Sequence, residues 1–152
     1  MKKQITRTLL GFFAVLVLAA GAQAQTARAV EVQIPFDFVA GQKLLPAGGY
    51  TVRRVRVDSE SALLIKGVGK GAASAVVLTS TGDENPERAA LTFRQHGERY
   101  FLALVSMPGT ASVRELAKTG AERAAERETA AAAKSDHGAD DAKTVTVAGR
   151  VQ

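Results

Sequence analysis

Alternation of apolar and polar residues is the feature that most constrains the fold of this chain. From Val30 to Phe38 every even position is apolar, whereas the odd positions are polar apart from Pro35. A period of two predicts a β-strand with one buried face. Pro35 lies on the polar face and cannot donate a hydrogen bond to a neighbouring strand. We therefore expect this strand at a sheet edge or interrupted by a bulge.

Further β-prone runs follow, separated by turn residues. They are residues 50–57, 62–66, 75–80, 89–94 and 100–107. The first run changes its apolar phase near Arg53 and Arg54, which predicts a bulge. The last run is apolar at both parities and predicts a central strand that is covered on both faces. We expect residues 41–49 to form a loop and residues 67–71 to connect a hairpin. About six to seven strands at this spacing predict a small, mainly antiparallel sandwich or barrel.

Composition agrees with a folded domain. Apolar residues make up 46% of the chain and charged residues 23%, as in globular proteins. The absence of cysteine excludes disulfides, thiol catalysis and cysteine-bound metals. Stability therefore depends on a packed core, for which the strand faces predict one set of side chains. The set is Val32, Ile34, Phe36, Phe38, Leu91, Phe93, Leu102 and Leu104.

The alternation ends after Pro108-Gly109, where alanine-rich, charged sequence begins. Capping boxes that begin at Ser112 and at Thr119 compete for a helix start. Gly120 costs about 1 kcal/mol inside a helix but little at its first position, which favours Thr119. The sequence therefore predicts a helix over Ala121–Lys134. Its apolar face offers only alanine, so we expect light packing.

The N-terminal segment has the three parts of a secretory signal. Lys2, Lys3 and Arg7 precede an apolar run over residues 9–20, and Ala22-Gln23-Ala24 supplies small residues for cleavage. The run is shorter than the roughly 20 residues that a membrane-spanning helix needs. We therefore expect export to the periplasm or medium, with no stable membrane span after cleavage. Cleavage would leave 17 basic and 15 acidic side chains, a net charge of +2.

These patterns divide the chain into four segments. The predicted segments are a signal peptide at 1–24, a β domain at 25–118, a helix and polar linker at 119–143, and a closing β segment at 144–152. In the closing segment, Thr144 to Val147 alternates and could pair with an open sheet edge of its own chain or of a partner. We expect the β domain to fold without residues 119–152.

The mature chain opens with I-P-F-D-F at residues 34–38, then Gly41, then L-P-A-G-x-Y-x-V at residues 45–52. Residues 114–116, 121–123 and 144–147 continue the pattern. The chain thereby resembles an uncharacterised family of short exported bacterial proteins. The resemblance implies export and a β-rich fold, and it supplies no catalytic residue.

Two histidines are candidates for chemistry. His96 precedes Gly97 between two strands, and a turn residue is the favoured interpretation because catalysis requires convergent partners. His137 lies close to Asp140 and Asp141 in a polar stretch that would hold a metal only weakly. We therefore expect no catalytic, cofactor-binding or metal-binding residue.

Two further patterns suggest binding but are not specific. Gly67, Gly69 and Gly71 around Lys70 lack the spacing and the following helix of a phosphate-binding loop. The second pattern is a basic strand, formed by Arg53, Arg54 and Arg56 beside Tyr50. Binding of single-stranded nucleic acid favours several exposed aromatic residues near such a patch. Aromatic residues are scarce here and the mature charge is nearly balanced, so we expect no nucleic-acid partner.

The sequence therefore predicts an exported, non-catalytic binding or structural module of the cell envelope. Its partner would be an envelope or extracellular component, for which a sheet edge is the candidate binding surface. The alternative is a small-ligand carrier, which requires a barrel with an interior cavity. A hydrolase is the third and least favoured hypothesis, because the sequence contains no spaced catalytic set.

Overall fold

The computed structural model describes residues 29–56, 59–69, 72–82, 87–108, 113–135 and 143–151. The predicted signal segment, residues 1–24, lies outside this description. The strands are β1 (Val30–Ile34), β2 (Phe38–Ala40), β3 (Lys43–Leu45), β4 (Gly48–Arg56), β5 (Ser59–Gly67), β6 (Ser74–Leu78), β7 (Ser80–Thr81), β8 (Ala90–His96), β9 (Arg99–Ser106), β10 (Arg114–Glu115) and β11 (Lys143–Val151). One helix, α1 (Gly120–Ser135), precedes β11. The mainly β fold with a C-terminal helix is confirmed.

The strands form one nearly closed, barrel-shaped sheet. Its order is β3-β2-β9-β8-β11-β1-β4-β5-β6, with β10 beside β9 and β7 beside β10. Every described pair is antiparallel except β2 with β9, which is parallel. Near the two ends of this order, the Lys43 Nζ of β3 donates a 2.8 Å hydrogen bond to the Ser74 carbonyl of β6. In addition, β7, which directly follows β6, pairs with β10 and is joined through it to β9. The fold is thus a barrel rather than an open sandwich.

Pro35 ends the first predicted strand instead of lying within it. The chain leaves the sheet after Ile34 and re-enters it at Phe38 as β2, which pairs with β9. Because Pro35 has no N–H to donate, the ladder cannot continue through it. The expectation of an edge position was wrong, since β1 lies between β11 and β4. The alternation of buried and exposed side chains nevertheless continues across the break.

The sheet has more strands than the six to seven predicted. The expected loop at residues 41–49 contains β3, which forms a hairpin with β2 around Gly41, a residue with φ of 62°. The other additions are the two-residue strands β7 and β10 and the strand formed after Pro35. The predicted hairpin of β5 and β6 is confirmed. The predicted irregularity in β4 is also present, as a register shift between Arg54 and Arg56.

Most of the predicted core is buried. The buried members are Val32, Ile34, Phe38, Leu91, Phe93 and Leu102. Phe36 is only half-buried but packs against this cluster. Leu104 is half-buried and lies outside the cluster. A register shift explains this difference, because Thr92 pairs with Leu104 but Phe93 pairs with Leu102. The extra residue reverses the faces of β9.

The predicted double coverage of β9 is confirmed, because buried side chains lie on both of its faces. Leu102 and Val105 face the barrel core. Phe101 and Ala103 are also buried but do not belong to the core cluster. The Phe101 ring contacts His96, which lies beside α1. One face of β9 therefore packs inside the barrel, and the other is covered from the side of the helix.

The helix begins at the predicted capping residue. The amide N of Glu122 donates a 3.1 Å hydrogen bond to the Thr119 Oγ1. The observed bounds differ from the predicted helix by one residue at each end. Ala125 is fully buried, whereas most other described alanines of the helix are exposed. The helix therefore buries little apolar area.

The C-terminal strand closes the barrel of its own chain. β11 pairs with β8 on one side and with β1 on the other, both antiparallel. Gly149 allows a close approach to β1, because a Cβ there would lie 2.6 Å from the Val30 Cγ1. This position inside the sheet removes the basis for expecting the β domain to fold without residues 119–152.

Candidate functional site

The strand at one end of the sheet order, β6, has an uncharged surface. Within the described part of the chain, β5 is its only paired strand. Ala75 and Val77 point into the core, whereas Ser74, Val76 and Leu78 are exposed. Residues 72–81 contain no charged side chain. Natural edge strands commonly carry lysine, proline or a bulge that prevents pairing with other chains. β6 contains no lysine or proline, and its pairing with β5 shows no register shift.

The hydrogen-bonding direction of β6 follows from its contacts with β5. The Thr79 amide donates to the Ser61 carbonyl at 2.8 Å, and the Gly67 amide donates to the Ala73 carbonyl at 2.9 Å. Because backbone groups alternate in direction along an antiparallel strand, odd-numbered residues bond to β5 and even-numbered ones face outward. The bond from Lys43 to the outward carbonyl of Ser74 agrees with this assignment. Val76 and Leu78 therefore present their backbone groups at the free side.

Apolar side chains extend from this edge over the outer face of the barrel. Val76 is 61% exposed and Leu78 is 77% exposed. Their cross-strand partners on β5 are Leu64 and Ala62, which are half-buried. We call these four residues the β6 edge surface. Contiguous exposed apolar surface is typical of interaction sites.

A buried charged cluster joins α1 to the outer face of β8. Glu122 is 2% exposed and accepts hydrogen bonds from the Arg94 Nε at 2.5 Å and the Arg94 Nη2 at 3.3 Å. Arg94 also donates to the Leu116 carbonyl at 3.3 Å. A buried carboxylate requires such pairing because its desolvation is costly. The pair therefore fixes the helix where its alanines supply little packing.

His96 belongs to this cluster. It is the last residue of β8, before the Gly97 turn, as the sequence predicted. Its side chain, however, is buried rather than exposed in the turn, and the Nε2 lies 3.6 Å from the Glu122 Oε1. The Nε2 has no hydrogen-bond partner among the described residues. With 3% of the histidine exposed, a substrate cannot reach this nitrogen without displacement of α1.

Two exposed ion pairs lie beside the buried cluster. Arg99 pairs with Glu128, and the Lys118 Nζ donates to the Glu126 Oε1 at 2.8 Å. The hydrogen bond from Lys118 holds the pKa of Glu126 below its usual range. Solvent-exposed pairs of this type contribute little stability. The buried carboxylate of Glu122 is therefore the principal polar attachment of the helix.

Aromatic rings occupy the barrel interior. Phe38 packs edge-on against Tyr50 at 5.2 Å and against Phe93 at 5.3 Å between centroids. Phe36 lies edge-on to Phe93 at 5.2 Å and stacks on Tyr100 at 3.9 Å. Such edge-on and stacked arrangements fill a core with specific packing. The rings occupy space that a carrier would require for its ligand.

Tyr50 is part of this interior and not of a surface beside the arginines. It is 2% exposed, and its hydroxyl donates a 2.6 Å hydrogen bond to the Pro46 carbonyl. Burial raises the pKa of the Tyr50 hydroxyl, and the nearby charge of Asp37 raises it further. The basic strand therefore lacks the exposed aromatic neighbour that single-strand nucleic-acid binding would use. Of its arginines, Arg53 is exposed and Arg54 is half-buried.

The remaining sequence candidates do not form a site within the described residues. A Cβ at Gly67 would lie 2.8 Å from the Ala72 Cβ, so this glycine serves the hairpin connection. Lys70, Gly71, His137, Asp140 and Asp141 lie outside the described residues, as does the side chain of Arg56. In the described ranges, no group of three histidine or acidic side chains is placed to hold a metal ion.

An open groove of about 480 Å³ lies on the outer face where β11, β1 and β4 adjoin. Its lining includes Glu31, Gln33, Gly49, Val68 and Arg150. Glu31 and Arg150 occupy opposing register positions, so the groove contains one acid and one base side by side. The groove therefore has no excess of positive or negative charge that would attract a charged ligand.

Sequence reasoning missed the β6 edge surface and the pair of Arg94 with Glu122. The signal for the first was the uncharged run at 72–81, which is apolar at both parities around Val76 and Val77. Such a run predicts burial on both faces, whereas the structure exposes one. The buried ion pair had no local signal, since its partners are 28 residues apart.

No family model, curated protein or solved structure matches the chain. In the described part of the chain, no helix has the length and apolar character to cross a bilayer. The fold itself defines a small, nearly closed β-barrel domain with one helix attached to its outer face.

Proposed function

We propose that the mature chain is an exported, non-catalytic binding or structural module of the cell envelope, and that it contacts its protein partner through the β6 edge surface. The observation that carries this proposal is the uncharged edge of β6, where Val76 and Leu78 are exposed beside outward backbone groups. A partner strand can gain main-chain hydrogen bonds and apolar burial there at the same time.

The charged and aromatic groups support binding over catalysis. Glu122 and His96 are buried beneath the helix, and Glu122 is bonded to Arg94. Their evident contribution is the attachment of the helix. The aromatic interior likewise favours a binding surface on the outside over a ligand cavity inside. The barrel thus acts as a rigid support for an external contact.

Export is the second part of the proposal and has its own test. The motif Ala22-Gln23-Ala24 follows an apolar run that is short for a membrane span. We expect mass spectrometry of the exported protein to find Gln25 at its N-terminus. An intact Met1 in the membrane fraction would contradict cleavage and export.

Binding is tested with the mature protein immobilised against an envelope extract. The test variant is Val76→Lys/Leu78→Lys, which places two charges on the β6 edge surface. The matched control is Val151→Lys on β11, a strand remote from β6 in the sheet order, where the valine is 44% exposed. We expect the wild type and the control to retain the same partner and the edge variant to lose it. Equal recovery by all three proteins would refute the assigned surface.

A further inference from the structure

The free part of the β6 edge is short, because other elements of the chain occupy both of its ends. Directly after β6, the outward side of β7 is paired with β10. At the start of β6, the Ser74 carbonyl accepts the hydrogen bond from Lys43. A partner strand can therefore bond only to the outward backbone groups that lie between these ends, at Val76 and Leu78.

Three basic side chains border the β6 edge surface. Lys66 on β5 lies directly opposite Ser74 in the register, and Lys43 of β3 donates to the Ser74 carbonyl. Arg53 on β4 lies opposite Leu64, which belongs to the β6 edge surface. All three basic residues are exposed, and neither Lys66 nor Arg53 forms an ion pair with another described residue. Their positive charges are therefore available to a partner that binds this surface.

The opposite end of the edge carries an acidic residue. Glu115 of β10 is exposed and lies opposite Ser80, the first residue of β7. The charge along the edge therefore changes from basic at the Ser74 end to acidic at the Ser80 end. Complementary charge selects the orientation and the register of a partner. A segment with its acidic residues at the Ser74 end is attracted, whereas the reversed segment is repelled.

We propose that the partner of the β6 edge surface is an acidic peptide segment, which adds to β6 as a short antiparallel strand. Two apolar side chains of the segment lie opposite Val76 and Leu78. A carboxylate on its C-terminal side lies at the Ser74 end, beside Lys43 and Lys66. Antiparallel pairing is favoured because a parallel ladder is slightly less stable per residue. This inference rests on the proposed function, because it names the chemical class of the partner for the same surface.

The aliphatic character of the surface distinguishes a peptide from a nucleic acid as the partner. Exposed aliphatic side chains beside free backbone groups match a peptide strand, which gains main-chain hydrogen bonds and apolar burial together. A single-stranded nucleic acid would instead stack its bases on aromatic rings, and all four members of the β6 edge surface are aliphatic. We therefore expect an oligonucleotide to leave the amide NMR signals of Val76 and Leu78 unchanged. Shifts of these signals by the oligonucleotide would refute a peptide partner.

The first test titrates the isotope-labelled mature protein with synthetic peptides and follows its backbone amides by NMR. The acidic probe is Thr-Val-Thr-Val-Thr-Glu-Glu with blocked termini, and the neutral probe has glutamine in place of each glutamate. We expect the acidic probe to shift the amide signals of Val76 and Leu78 and to bind about fivefold more tightly than the neutral probe. High salt should reduce this difference, because it screens exposed charges. Equal affinity of the two probes at low salt would refute the preference for an acidic partner.

A third probe tests the orientation of the added strand. It carries both glutamates at its N-terminal end, where an antiparallel strand would place them near Glu115 instead of Lys66. We expect this probe to bind no more tightly than the neutral one. Tighter binding than that of the first acidic probe would refute the antiparallel arrangement.

Charge reversal at Lys66 tests whether this residue attracts the acidic segment. Lys66→Glu should weaken binding of the acidic probe about fivefold, and it should strengthen binding of a probe with lysine in place of each glutamate. The matched control is Lys143→Glu, which makes the same change at an exposed lysine of β11, a strand remote from β6 in the sheet order. The control should bind both probes as the wild type does. Equal effects of the two substitutions would refute the site, because they would follow from net charge alone.

Capture from the envelope extract separates failure of this inference from failure of the proposed function. If Val76→Lys/Leu78→Lys loses the partner but Lys66→Glu retains it at the wild-type level, the β6 edge surface stands and the acidic partner is refuted. If both variants retain the partner, the assigned surface itself is refuted. Loss of the partner by both variants, with retention by Lys143→Glu, would support the two proposals together.

Discussion

Replacing Arg94 by methionine tests whether the buried ion pair holds α1 on the barrel. Glu122 is 2% exposed and receives two hydrogen bonds from Arg94, whose side chain is 19% exposed. Loss of one partner from a buried pair costs about 3–5 kcal/mol, because the other charge stays desolvated. Since Arg94 retains some contact with solvent, water can enter in its place. We therefore expect a loss near the lower limit, about 3 kcal/mol.

The measurement is denaturant unfolding, followed by circular dichroism. Arg99→Met is the matched control, since Arg99 and Glu128 are 50% and 68% exposed and such pairs contribute about 0–1 kcal/mol. The double variant Arg94→Met/Glu122→Met should recover most of the lost stability, because it leaves no buried charge unpaired. A loss for Arg94→Met as small as that of the control would refute the reasoning.

Four further predictions concern the aromatic core, the contact of Gly149 with β1, the pKa of Tyr50 and the closure of the barrel by β11. Phe93→Ala should cost about 3–5 kcal/mol in denaturant melts, and Phe36→Ala should cost less because its ring is only half-buried. Gly149→Ala should lower stability by about 1–3 kcal/mol in thermal melts, since its Cβ would meet a methyl group at 2.6 Å. The raised pKa of Tyr50 means that its stabilising contribution is fully present below about pH 10 and is lost as the pH rises through the higher folded value. Ultraviolet titration against Tyr50→Phe checks this. Deletion of residues 143–151 should abolish the cooperative β signal in circular dichroism, and a folded product would show that closure is dispensable.

The period-two pattern was sufficient to predict the fold class and most of the core. It identified the faces of β1 and β8 because each alternates clearly between apolar and polar residues. It failed at Leu104 because β9 is apolar on both faces, so the sequence there contains no mark of the extra residue at Ala103. Pro35 was recognised as incompatible with a ladder, but its effect was a break rather than an edge position.

The candidate site was less predictable because it depends on which strands pair. β6 lies at the end of the sheet order, whereas β11 lies between β8 and β1. These pairings join residues far apart in sequence, such as Val30 with Val151. Local propensity does not encode such partners. The uncharged run at 72–81 marks β6 as unusual but does not specify that Val76 and Leu78 are exposed at a sheet end, which follows from the topology.

Attachment of the helix and closure of the barrel depend on the same strand. Arg94 binds Glu122 through its side chain, while its backbone position on β8 lies opposite Thr144 of β11. Two consecutive elements of the chain therefore contact β8: α1 through the ion pair, and β11 through strand pairing. Because most of the helix's described alanines remain exposed, its position rests chiefly on the ion pair. A fixed helix shortens the search of β11 for its place, because only seven residues of sequence separate Ser135 from Lys143 and loop closure costs less for short loops. Loss of Arg94 should consequently weaken the pairing of β11 as well as the helix contact.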